Sequence, residues 1–180
     1  MTEISALEIL EKLVSFPTVS DRSNLELIDW VEEYLNSFHI ETYRKYNDDG
    51  NKASLFAHVG PQIEGGVVLS GHTDVVPVEG QAWDTDPWTL TEKNNKLYGR
   101  GSCDMKGFNA LAIWAMVEGH KSNLKRPLQI ALSYDEEVGC IGAPPMIDEM
   151  IKKLPKASMV IVGEPSTMLA VTGHKGALGF

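Results

Sequence analysis

Short apolar runs alternate along this chain with segments of helical period, and that interleaving confines the fold to the α/β class. Ile4, Leu7, Leu10, Leu13 and Val14 recur at helical spacing, with Ser5 and Glu8 set as a capping box and Pro17 as the stop. Leu25, Ile28, Val31 and Leu35 mark a second amphipathic helix over residues 24–37. Residues 40–46 alternate as a strand, and Asn47-Asp48-Asp49-Gly50-Asn51 turns the chain. Residues 53–59 and 67–70 read as strands, and residues 97–98 as a short one. Residues 105–118 are apolar almost all round, which predicts a mostly buried helix with Ile113 and Trp114 inside. Residues 128–134 and 159–162 have the composition of buried strands, with a helix over 146–154 between them and a last strand at 169–172.

The 16 Lys and Arg against 25 Asp and Glu give a net charge of −9 over 180 residues. That balance argues against nucleic acid and anionic membranes as main partners, since both attract a basic patch. Cys103 and Cys140 are too few for a disulfide framework, so a reducing cytoplasm is the expected location. No basic segment precedes the first helix, so no signal peptide is expected, and no apolar run reaches the roughly 18 residues of a membrane span.

The chemistry collects where apolar runs end. Residues 67–70 lead into Gly71-His72-Thr73-Asp74-Val75-Val76-Pro77. In open α/β sheets ligands gather at the carboxyl ends of strands. His72 with Asp74 is either a metal-ligating imidazole with its partner carboxylate or a strand-end histidine on a structural aspartate. Gly99-Arg100-Gly101-Ser102-Cys103-Asp104-Met105-Lys106-Gly107 sits at the mouth of the apolar helix. It lacks the G-x-x-x-x-G-K-[ST] of a phosphate loop, and Asp104 alone would suit a plain cap. Cys103 reads as a small buried thiol rather than a nucleophile. Asp135-Glu136-Glu137 closes the next strand as a solvated acidic turn or a cation site, and Glu164 closes the one after. Taken together, four strand ends deliver His, Asp, Glu-Glu and Glu, a mixed set that suits Zn, Co or Mn.

These segments, with Trp83 to Trp88 and Gly163-Glu164-Pro165, resemble the family of dinuclear-zinc deacylases and peptidases. The resemblance runs in order along essentially the whole chain. Asp104 to Phe108, Glu137 to Ala143 and His174-Lys175-Gly176 look most like its acetylornithine deacetylase branch. The resemblance implies a three-layer α/β domain, a mixed sheet flanked by helices, of the zinc-aminopeptidase kind but incomplete. It implies two zinc ions, with cobalt as a substitute. His72 and Glu164 would hold one, Asp104 would bridge both and Glu137 would hold the second. Glu136 would be the general base, Asp74 would orient His72, and the Asp104–Met105 peptide would be cis. The implied reaction is hydrolysis of the amide of a small N-acyl amino acid, foremost N-acetylornithine to ornithine and acetate in arginine biosynthesis. Another N-acyl-amino-acid deacylase or a dipeptidase is the alternative within the family, and a non-catalytic scaffold is the alternative outside it. Glu136 favours the enzyme, because a metal-free scaffold has no use for a base beside a ligand.

Family members continue into a lid and dimerisation domain and then return to the catalytic domain. Residues 1–172 are therefore expected to form the N-terminal part of the catalytic domain, and residues 173–180 the start of the lid. The intact protein is expected to be a homodimer through that lid. The returning part would carry the second metal's histidine and the lid an oxyanion donor. His39, His58, His120 and His174 match neither role, so the 180 residues are expected to be nearly inactive alone and to leave a strand edge or apolar face uncovered.

Overall fold

The computed structural model describes residues 1–173. In chain order its elements are α1 (Ala6–Val14), α2 (Leu25–Asn36), β1 (Thr42–Tyr46), β2 (Ala53–Val59), β3 (Val67–His72), β4 (Thr91–Lys93), β5 (Lys96–Tyr98), α3 (Lys106–Lys121), β6 (Leu128–Ser133), α4 (Ala143–Lys153) and β7 (Met159–Val162). Five strands form one mixed sheet in the order β1-β2-β6-β3-β7. β2 runs antiparallel to β1 and β6, while β3 runs parallel to β6 and β7.

The period of two along each strand builds the layers. Leu55, Ala57 and Val59 of β2, with Ile130 and Leu132 of β6, pack against α1, α2 and α3. Phe56 and Ala131 point the other way and meet Val68, Met146 and Leu154 beneath α4. The result is the expected three-layer α/β arrangement. Fully buried Ile9, Ile28, Leu35 and Ile113 each contribute about 1.5–3 kcal/mol relative to an exposed position. The capping box forms as read: Glu8 donates its backbone N–H to Ser5 Oγ (3.3 Å), and Glu8 Oε2 accepts the backbone N–H of Ser5 (2.8 Å).

Several expectations are corrected. α3 is not buried all round: Ile113 is inside, but Trp114 and Leu111 are 39% and 56% exposed. Positions three apart share a helix face, and the face holding 111 and 114 is opposite the one that packs on α1 and the sheet. β7 is not a buried strand. It is the sheet edge, and its four residues are 42–58% exposed. Residues 169–172 form no strand, and Ser166 instead accepts the Leu169 N–H in a turn (3.0 Å). β4 escaped the sequence reading, although Asn94 and Asn95, at φ 54° and 56°, are the residues such a two-residue hairpin favours. Cys103 is exposed rather than buried, and both cysteines are free thiols. His174 and the rest of the expected lid segment past Gly173 fall outside the described residues. Among the described residues no helix is long and apolar enough to cross a membrane. An apolar groove of about 570 Å³ runs along α4, lined by residues such as Val68, Ala131, Met146 and Val160 and by none of the acidic strand-end residues.

Candidate metal centre

Because β6, β3 and β7 are adjacent and parallel, their carboxyl ends lie on one edge of the sheet. His72 closes β3 opposite Ser133, two residues before Asp135. The N–H of Gly163 donates to Ser70 O (3.1 Å), which carries the β7 ladder one step further and leaves Glu164 at its end. Asp104 arrives from the glycine-rich loop ahead of α3, and its peptide to Met105 is cis, as the resemblance implied.

His72 is 1% exposed. Its Nε2 lies 3.0 Å from Asp104 Oδ1, 3.7 Å from Glu164 Oε1 and 3.9 Å from Glu136 Oε2. On the other side Nδ1 is 2.8 Å from the backbone carbonyl of Asp74 and 3.5 Å from its carboxylate. That carboxylate accepts the backbone N–H groups of Glu136 (3.1 Å) and Glu137 (3.2 Å) and the Ser20 hydroxyl (2.7 Å). Asn109 Nδ2 donates to the His72 carbonyl (2.6 Å) from α3. Glycine at position 71 leaves room for this bond, because a Cβ there would run into Asn109 Oδ1 unless that side chain shifted.

All six predicted site residues therefore converge. Ligand atoms of His72, Glu136 and Glu164 lie within 4.8 Å of one another, as do those of His72, Asp104 and Glu137. Glu136, expected as the base, thus stands as near to His72 as a ligand would. His39, His58 and His120 belong to neither cluster. The side chains of Asp104 and Glu164 are 47% and 43% exposed, so the cluster opens to solvent, as a site that admits substrate must.

The charges in this cluster act on one another. Burial opposes protonation of His72, yet its hydrogen bond to Asp74, the Asp74 charge and Glu164 raise its pKa to about 9. Burial also opposes ionisation of Asp74, but the neighbouring His72, the Ser20 hydroxyl and the Glu136 amide hold it below the usual range. Burial, then the charge of Asp104, pushes Glu137 up. Burial also pushes Glu164 up, against the pull of His72, with Asp104 and Glu136 adding to the rise. Carboxylates this crowded favour a bound cation, and one imidazole among several carboxylates fits a divalent transition metal.

Residues around the cluster carry less of a signal, although Lys106 stands within the glycine-rich motif. Lys106 is fully buried and donates to the Phe16 carbonyl (2.6 Å), and burial lowers its pKa to about 7. Lys52, Ser20 and Asn109 carry no local pattern that separates them from solvated residues. Cys140 Sγ comes within 3.5 Å of Glu136 Oε1 without entering either cluster.

The chain is 36% identical over 182 residues to an acetylornithine deacetylase of Buchnera aphidicola subsp. Schizaphis graminum, covering 98% of this chain and 47% of that protein. It is also 36% identical over 182 residues to an acetylornithine deacetylase of Pasteurella multocida, covering 97% and 47%. The chain thus spans about half the length of the curated relatives it matches. Human carnosine dipeptidase 1 superposes with a TM-score of 0.73 at 21% identity, over 87% of this chain and 37% of that one. The M20 family metallo-carboxypeptidase Sso-CP2 of Sulfolobus solfataricus gives 0.71 at 23% identity, over 89% and 37%. At those identities the two structures speak for the fold. The profile of peptidase family M20/M25/M40 matches residues 68–174, which include every residue of the candidate cluster, and the chain belongs to that family.

Proposed function

We propose that this chain carries the metal-binding half of an amidohydrolase acting on a small N-acyl amino acid, with N-acetylornithine the favoured substrate. The observation that carries the reading is the approach of Asp104, Glu136 and Glu164 to the one buried imidazole nitrogen of His72. The substrate choice rests on the names of the relatives that match nearly the whole chain. The reaction would free ornithine for arginine biosynthesis in the cytoplasm, and dimerisation would use the part of the relatives that this chain does not span.

In this reading His72 and Glu164 would hold one divalent ion and Glu137 a second, with Asp104 a ligand shared between them. Zinc is the natural occupant of such a set and cobalt a substitute. When bound, the metal supplies Lewis acidity for the scissile carbonyl and a lower pKa for the attacking water. Glu136 removes the proton from that water and returns it to the departing amine. Asp74 keeps His72 oriented and, through the amides it accepts, keeps Glu136 and Glu137 turned inward. The described residues place one histidine in the cluster, and His39, His58 and His120 match neither the second imidazole ligand nor the oxyanion donor that the resemblance implies. Hydrolysis by these residues alone is accordingly expected to be slow, since losing one oxyanion donor typically costs about 10²–10³ in turnover.

The test is zinc or cobalt titration with anomalous scattering from the loaded crystal, followed by hydrolysis assays. Metal at His72, lost in His72→Ala, is expected. So is a faster rate on N-acetylornithine than on dipeptides, abolished by Glu136→Gln with metal retained. A chain that takes up no metal at His72 overturns the reading. Preference for a dipeptide moves it to the peptidase branch.

A further inference from the structure

The loop that carries Glu136 and Glu137 begins at Asp135, a buried residue in the left-handed region (φ 56°). Aspartate tolerates that region better than most residues, and the Asp135 carbonyl accepts the Ile141 N–H (3.1 Å). Its carboxylate, in addition, is held from outside the site. Lys52, immediately before β2, places Nζ 2.6 Å and 2.8 Å from the two carboxylate oxygens of Asp135, and both side chains are 12% exposed. The same ammonium donates to the Ser20 carbonyl at 2.5 Å. Three acceptors match the three donors of a lysine. Ser20 then donates its hydroxyl to Asp74. Asp74 accepts the amides of Glu136 and Glu137, which follow Asp135 directly. Lys52, Asp135, the turn, Asp74 and Ser20 therefore close a ring of contacts, and its ion pair is to Asp135 alone among the carboxylates of the described residues.

We propose that Lys52 is a positioning residue for the metal centre: through Asp135 and Ser20 it fixes the turn that aims Glu136 and Glu137 at His72. The role in metal binding rests on the metal-centre reading above, whereas the hold on the turn does not.

The test uses Lys52→Met combined with Asp135→Asn. This pair removes both charges together, so no lone charge is left buried, and asparagine accepts the left-handed backbone. Lys52→Arg, which keeps the ion pair, is the companion variant. Amide exchange at Glu136 and Glu137 in the metal-free chain reports the turn, and Co(II) affinity with its visible absorption reports the centre. In the double variant the two amides are expected to exchange about tenfold faster or more as the turn opens locally. Co(II) affinity is expected to fall about 10–100-fold with an altered spectrum. The arginine variant should stay close to wild type on both. A folded double variant with wild-type exchange and wild-type Co(II) affinity overturns the proposal. So does an arginine variant that loses both as fully as the double. A wild-type chain that takes up no Co(II) overturns the metal centre instead, and the exchange measurement still decides the role of Lys52.

Discussion

The backbone carbonyl of Asp74, not its carboxylate, makes the closer approach to His72, at 2.8 Å against 3.5 Å from Nδ1. The carboxylate is turned toward the amides of Glu136 and Glu137 and the hydroxyl of Ser20. Asp74 thus orients the imidazole and the acidic turn with different atoms. In Asp74→Asn the carbonyl still holds the ring, but the new NH₂ faces groups that donate. Metal affinity is expected to fall about 10–100-fold with the overall fold intact, measured by competition against a chromophoric chelator.

The two faces of α3 should respond differently to truncation. Ile113→Ala empties a fully buried position and is expected to cost about 2–5 kcal/mol in urea unfolding. Leu111→Ala, at a position 56% exposed, is expected to stay within about 0.5 kcal/mol. Equal losses would mean that the outer face of α3 is covered in solution.

Acid should weaken the first helix through its cap. The Ser5 backbone N–H, then its side chain, holds the Glu8 carboxyl below its ordinary value of 4.5. A carboxyl lowered on folding adds stability that is present above its unfolded pKa and disappears as pH falls through its folded one. Glu8→Gln is therefore expected to destabilise the chain near neutrality and to match wild type in strong acid. Thermal melts across that range would show the two curves converging.

Gly71→Ala tests how tightly His72 is backed. The added methyl meets Asn109 Oδ1 and the Met105 side chain inside contact distance. Overpacking of this kind costs about 1–3 kcal/mol, and here the strain would fall beside the ligand. A lower melting point together with weaker metal binding is expected. A shift in melting alone would mean that Asn109 yields without moving His72.

Much of this molecule could be read locally. The Ser5–Glu8 box, the helices and the central strands follow from residues within one turn or one strand of each other. His72, Asp104, Glu136, Glu137 and Glu164 stood out because ligand-type side chains at strand ends form a pattern along the chain. β7 misled because its apolar run says that a strand forms, not what covers it, and its exposure depends on its place in the sheet. Trp114 misled because near-uniform apolarity hides which face of α3 packs. Lys52 could not be found at all: its partners, Ser20 and Asp135, lie 32 and 83 residues away. Only the closed fold brings them together.

The register of β3 on β6, with His72 opposite Ser133, has a consequence for how such a sequence can change over generations. Successive side chains on a strand face opposite ways, so one residue gained or lost inside β3 or β6 would turn the site's half of that strand over. The connection from β3 to Asp104 and the one from β1 to β2 obey no such parity. Drift in length is therefore confined to the connections, and the strands bearing the ligands behave like a reading frame, tolerant of substitution and intolerant of a shift by one.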